Sequence, residues 1–137
     1  MIDLASIRTR LGLLDLFNTI TDAASVAAAL EKPSRPPSAY VVTATERATP
    51  NRTQGVHDQK VSATIGVVMS IAAQRADAAQ NDQVETLREA VIDQLAGWTA
   101  TGAKDPFDYQ GYQIVRFDSG LIWVQCNFQT VWILRTS

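Results

Sequence analysis

Residues that usually carry chemistry are scarce here. The 137 residues hold one cysteine, Cys126, and one histidine, His57. A single thiol cannot form an intrachain disulfide, and one Cys with one His cannot complete the usual zinc site within a chain. The 7 glycines build no Gly-rich run ahead of a Lys-Ser/Thr, so the phosphate-binding loop pattern is missing. No apolar run approaches the ~20 residues that a membrane helix needs. The opening "MIDLASIRTRLG" has no basic region followed by a long apolar core, so it reads as the start of a soluble, cytoplasmically made protein rather than a secretory signal. Lys and Arg total 12 against 14 Asp and Glu, a net charge of -2. That balance gives no bulk attraction for nucleic acid.

What is present is ordinary for a folded protein: 46% hydrophobic and 19% charged residues, read as one domain over 1–137. Leu4, Ile7, Leu11 and Leu14 have helical spacing, with Asp3 as N-cap and Gly12 near the end. Residues 21–32 suggest a second short helix capped by Thr21 or Asp22, with Val26 and Leu30 on its buried side. The "KPSRPPS" segment stops it. Residues 38–46 read as a β-branched strand, and residues 60–73 as a second one with Ala63, Ile65, Val67, Met69 and Ile71 on the core side. A helix is expected from Asp82 to Trp98, opened by a capping box of Asp82 and Glu85, with Val84, Leu87, Val91, Leu95 and Trp98 as its stripe. "YQIVRF" and "LIWVQCNFQTVWILR" flank a "DSG" turn and make a final hairpin. The expected fold is therefore α+β, in the order α-α-β-β-α-β-β, with a mostly antiparallel sheet packed against helices.

Residues 46–60, "ERATPNRTQGVHDQK", are much longer than a hairpin needs. Over-long polar loops are usually functional or disordered. His57 lies within it beside Asp58, yet no Ser, Cys or carboxylate constellation surrounds the pair. Cys126 falls on the apolar side of a strand, the ordinary place for an inert core thiol. Asp105, Asp108 and Asp118 sit near turns without the spacing of a calcium loop. No catalytic, cofactor or metal residues are assigned. In the last strand Ile122, Val124, Cys126, Phe128, Trp132 and Leu134 share one parity. Trp123, Gln125 and Asn127 lie on the other, which is apolar at both ends. Such a face is expected to be covered too, by a helix or by another subunit.

The chain resembles the tail terminator, or tail completion, proteins of long-tailed bacteriophages and related minor tail proteins. The resemblance rests on "PPSAYVVTATERATPNRTQGVHDQKVSATIGVVMSI", the "LREAVIDQLAGW" helix and "DPFDYQGYQIVRFDSGLIWVQCNFQTVWIL", and it spans almost the whole chain. It implies a non-enzymatic virion protein that forms a homo-oligomeric ring, usually a hexamer, at the head-proximal end of the tail tube. Such a ring ends tube polymerisation and offers the surface to which the head joins. The implied partners are copies of itself, the tube protein and a head-completion or connector protein. DNA only passes through the lumen, no membrane is involved, and no cofactor is needed. Candidate contact residues with a neighbour or the tube are Arg47, Pro50, Asn51, Arg52, His57, Trp123, Gln125 and Asn127. The rival readings are a head-side connector or stopper ring and, from a different class, a small ligand-binding or enzymatic α+β domain using His57 and Asp58.

Overall fold

A computed structural model describes residues 1–32, 34–51, 57–72, 78–118 and 120–136; for 57, 78–81 and 136 it describes the backbone alone. The order is α1 (Leu4–Gly12), β1 (Thr19–Asp22), α2 (Val26–Leu30), β2 (Ser38–Ala48), β3 (His57–Ala72), α3 (Ala78–Leu95), β4 (Asp108–Asp118) and β5 (Leu121–Thr136). The strands form one sheet in the order β1-β2-β3-β5-β4. Only β1, against β2, runs parallel to its neighbour; the other pairs are antiparallel. The α+β class holds.

Local chemistry explains the helix starts. Asp3 caps α1, its carboxylate accepting from the Ala5 N–H at 3.1 Å, while Ile7 and Leu11 turn into the core. Ser25, not Thr21 or Asp22, caps α2 by accepting from the Ala28 N–H at 3.1 Å. Those two expected caps belong instead to β1, which the sequence reading missed. A four-residue strand beside a proline-rich stretch has too few side chains to display a period, and its pairing partner is far along the chain. The expected capping box also fails. The helix begins at Ala78, so Asp82 lies inside it and its carbonyl accepts from Thr86 Oγ1 at 2.9 Å. The helix ends at Leu95, and Trp98 packs from the following loop rather than from the helix.

Two layers of side chains hold the sheet. On one face α1 and α3 cover Ile65, Val67, Met69, Val124, Cys126 and Phe128, all fully buried, together with Val91 and Leu95 of α3. On the other face, α2 covers a smaller cluster of Tyr40, Val42, Val68 and Trp123. The expected parity of β5 is therefore correct. Of the two covers expected for its second face, the chain's own helix is the one seen at the Trp123 end.

Candidate functional site

The long polar segment is shorter as a loop than its composition suggests. Glu46, Arg47 and Ala48 pair with Ala63, Ser62 and Val61, and β3 starts at His57. Backbone pairing needs no apolar side chains, so the ladder runs on where hydrophobic alternation has stopped. The sheet thus takes up 46–48 and 57–60 of the expected loop. From Ala44 onward β2 is exposed throughout, so β2, β3 and the end of β5 form an arm that carries polar residues. Arg47, Pro50 and Asn51 are exposed on it. Asn51 Oδ1 accepts from the Asp58 N–H at 3.0 Å, and Thr49 N–H donates to the Lys60 carbonyl at 2.8 Å. Arg52 lies outside the described residues. The His57 backbone opens β3, opposite Thr136, and its side chain is likewise outside the description.

The three remaining candidates are less available. Trp123 is 4% exposed and stacks on Tyr40, with ring centroids 6.0 Å apart and 27° between planes. The Arg116 guanidinium lies 5.9 Å from the Trp123 ring centroid and donates to the Leu30 carbonyl at 3.1 Å, tying β4 to α2. Trp123 is thus packed within the chain, in the cluster under α2. Gln125 is 5% exposed and donates to Asn127 Oδ1 at 2.7 Å; Asn127 is half-buried. Gly66 makes that arrangement possible, because a Cβ there would stand 3.1 Å from both Gln125 Nε2 and a Val42 methyl.

Sequence reasoning overlooked a second surface. On the edge strand β4, Tyr112, Ile114 and Phe117 are 43%, 61% and 50% exposed. Tyr112 and Ile114 pair with Cys126 and Val124, which places them on the α3 face. A register shift between Ile114 and Arg116 then brings Phe117, opposite Ile122, back to that same face. One extra residue in an edge strand thus gathers three large apolar side chains into a ledge beside α3. Arg88 of α3 sits 4.2 Å from the Tyr112 ring centroid and pairs with Glu85 at 2.6 Å. Its charge is held firmly, because the Tyr109 hydroxyl and then the Glu85 carboxylate raise its already high pKa. The bulge breaks the alternation, so the three residues look like core positions until the pairing is known.

At the arm's free end a groove of about 780 Å³ crosses the second face of the sheet, lined among others by Pro50, Asp58, Lys60, Lys104, Ile133 and Arg135. Asp58 stands opposite Arg135, with carboxylate and guanidinium 3.8 Å apart. Lys104 reaches this place because the loop 99–107 is stitched to β5: its N–H donates to the Val131 carbonyl at 2.7 Å, and Thr130 Oγ1 donates to the Asp105 carbonyl at 2.6 Å. Gly102, with φ at +90°, lets that loop pass the Met1 carbonyl where a side chain would collide. Among the described residues no group of three His, Cys, Asp or Glu is placed to hold a metal. Burial pushes the Cys126 thiol up to about 12, far from a thiolate.

The fold is thus a mostly antiparallel sheet with an exposed apolar ledge at one edge and a polar extension of β2, β3 and β5 at one end. The chain belongs to the phage tail terminator protein family, whose pattern it matches over residues 1–137. That is a family of structural tail proteins. Its fold is shared with a chain solved in the virion of a native gene transfer agent particle: TM-score 0.55, 14% identity, 97% of this chain and 96% of that one. No curated protein matches the sequence.

Proposed function

We propose that this protein is the ring subunit that closes the head-proximal end of a phage tail tube, halts tube growth and presents the surface to which the head joins. Each ring position is one 1–137 domain, and six copies are the expected number. The observation that carries this reading is the β4 ledge. Tyr112, Ile114 and Phe117 lie together on an open sheet edge, where unpaired backbone and apolar side chains invite a second chain. The arm is a different surface, and a ring requires two unlike patches that meet head to tail. Family membership and a like fold inside a virion particle support the same role.

In this reading Arg47, Pro50 and Asn51 of the arm, together with Arg52 and His57 of the same chain segment, meet the tube or a neighbouring subunit. Arg47 and Arg52 supply paired N–H donors for carboxylates. No catalytic step is assigned, and DNA only transits the lumen.

The test is an Ile114→Asp/Phe117→Asp double variant. Placing two carboxylates in a buried apolar contact is expected to weaken ring association by ~100-fold or more, read by sedimentation with and without tube protein. The subunit's own melting temperature should hardly move, because both side chains are already exposed. Tails assembled with the variant should be over-long and unjoined to heads. Tails of normal length, coupled to heads, would end this reading. A head-side ring would appear on the portal rather than the tube by electron microscopy. An enzyme using His57 and Asp58 would show a substrate turnover that His57→Ala abolishes, whereas this reading expects no turnover from the wild type.

A further inference from the structure

The ring reading leaves open which surface receives the β4 ledge, and charge supplies an answer. The ledge is rimmed by carboxylates. Glu85 is fixed on that side by its pairing with Arg88, whose guanidinium lies over Tyr112. Asp82 and Glu89, three residues before and four after Glu85 on α3, share its helical stripe and are exposed. Asp108 and Asp118, at the two ends of β4, pair with Gln129 and Leu121 and so stand on the opposite face of the sheet, away from the ledge. Against the three α3 carboxylates stands Arg88, already held by Glu85.

The groove on the arm has the opposite character. Lys60, Lys104 and Arg135 line it with a single carboxylate, Asp58. Arg47, opposite Ser62 in the ladder, adds an exposed cation on the same face of the sheet. Ile133 and Pro50 give it apolar ground for apolar side chains to rest on. The two surfaces also have the right separation. The ledge lies beside Ile122–Cys126 of β5 on one face, and the groove lies at Ile133–Arg135 on the other. Nine residues of strand from Val124 to Ile133 set them roughly 30 Å apart along β5. Surfaces at opposite ends and on opposite faces of a subunit cannot satisfy each other within one copy. They can do so only from copy to copy.

We infer that the cationic groove of one subunit receives the acid-rimmed α3–β4 ledge of the next. Tyr112, Ile114 and Phe117 rest on Ile133 and Pro50, while Asp82 and Glu89 face Lys60, Lys104, Arg135 and Arg47. A nucleic-acid backbone is the less favoured occupant, because Asp58 stands among the cations and the apolar ground offers phosphates nothing.

The inference rests on the ring reading, and charge exchange separates the two. Lys60→Glu/Lys104→Glu in the full chain is expected to weaken self-association at low salt by ~10-fold or more, and Asp82→Lys/Glu89→Lys to do the same. All four changes together should restore wild-type rings by sedimentation, with unchanged thermal melts throughout. Restoration is the result that loss of folding cannot imitate. If wild type forms rings and either reversal leaves them intact, or the fourfold variant stays dissociated, this contact is wrong and the ring reading survives. A wild type that stays monomeric even with tube protein overturns both. Reversal that abolishes retention of duplex DNA while rings persist also overturns it.

Discussion

The two ends of β5 make the sharpest contrast in the molecule. From Ile122 to Cys126 every residue of the strand is buried, on both faces. Ile122, Val124, Cys126 and Phe128 lie under α1 and α3, and Trp123 lies under α2. From Val131 to Arg135 only Trp132 is fully buried, and Ile133 and Arg135 line an open groove. One ladder with β3 runs through both ends without a break, from Ala72↔Leu121 to His57↔Thr136. The same backbone geometry therefore serves two ends, and the cover over it makes the difference. Helices close over Ile122, Val124, Cys126 and Phe128 on one face and over Trp123 on the other. Val131, Ile133 and Leu134 are equally apolar but only half-buried, with the charges of Arg135, Asp58 and Lys60 beside them.

The contrast is broken most easily by truncating one side chain at each end. Trp123→Ala is expected to cost about 3–5 kcal/mol of subunit stability in urea denaturation, because it removes a stacked, enclosed ring and leaves a cavity between β5 and α2. Ile133→Ala should cost about 1 kcal/mol or less, since half-burial leaves little area to lose. Equal losses at the two positions would abolish the division. A Trp123→Ala subunit as stable as wild type would mean that its true cover is another molecule.

A smaller effect sharpens the boundary between the ends. Gly66 lies where the second face passes from the apolar cluster to the polar pair of Gln125 and Asn127. Gly66→Ala pushes a methyl to 3.1 Å from Gln125 Nε2 and from a Val42 methyl. The glutamine must shift and loosen its bond to Asn127, against a gain from a stiffer unfolded chain, for a net loss of about 1 kcal/mol. Pairing Gly66→Ala with Asn127→Ala in a double-mutant cycle should show non-additivity. Strict additivity would mean that the Gln125–Asn127 bond plays no part in that crowding.

How much of this was legible beforehand follows the same contrast. Where both period and burial agree, as in Ala63 through Ile71 or Ile122 through Leu134, the strands and their core side could be read directly. The arm was misread as a loop because its residues are polar, although its backbone is paired to Ala48. β1 was too short to show a period. The β4 ledge was hidden by a bulge, which mimics a run of core residues and can be resolved only by knowing the register. Trp123 was placed on the correct face, but whether that face meets a helix or another molecule is a tertiary fact. The groove escaped notice because Lys60, Lys104 and Arg135 come from three distant parts of the chain. Contact surfaces lack the fixed spacings that metal or phosphate sites impose, so they leave little trace in one sequence.

Cys126 gives the mildest test, and it probes the anchored end alone. Its thiol is fully buried between Val124 and Phe128, and burial pushes its pKa up to about 12. A free thiol titrates near ~8.5. The folded state therefore holds the proton more tightly than the unfolded one. The stability linked to this group is fully present below the unfolded value, and it is lost as pH rises through the window between that value and about 12. Native protein at pH 8 should thus resist alkylation by iodoacetamide, while urea-unfolded protein should react at the rate of an exposed cysteine. Labelling should follow the unfolded fraction across a urea series. Trp123→Ala should bring it forward only as far as it lowers global stability, because the ring lies on the opposite face of β5 from the thiol. Fast labelling of the native protein at pH 8 would mean that the α3 face opens locally, and the anchored end would then be less firmly closed than its burial implies.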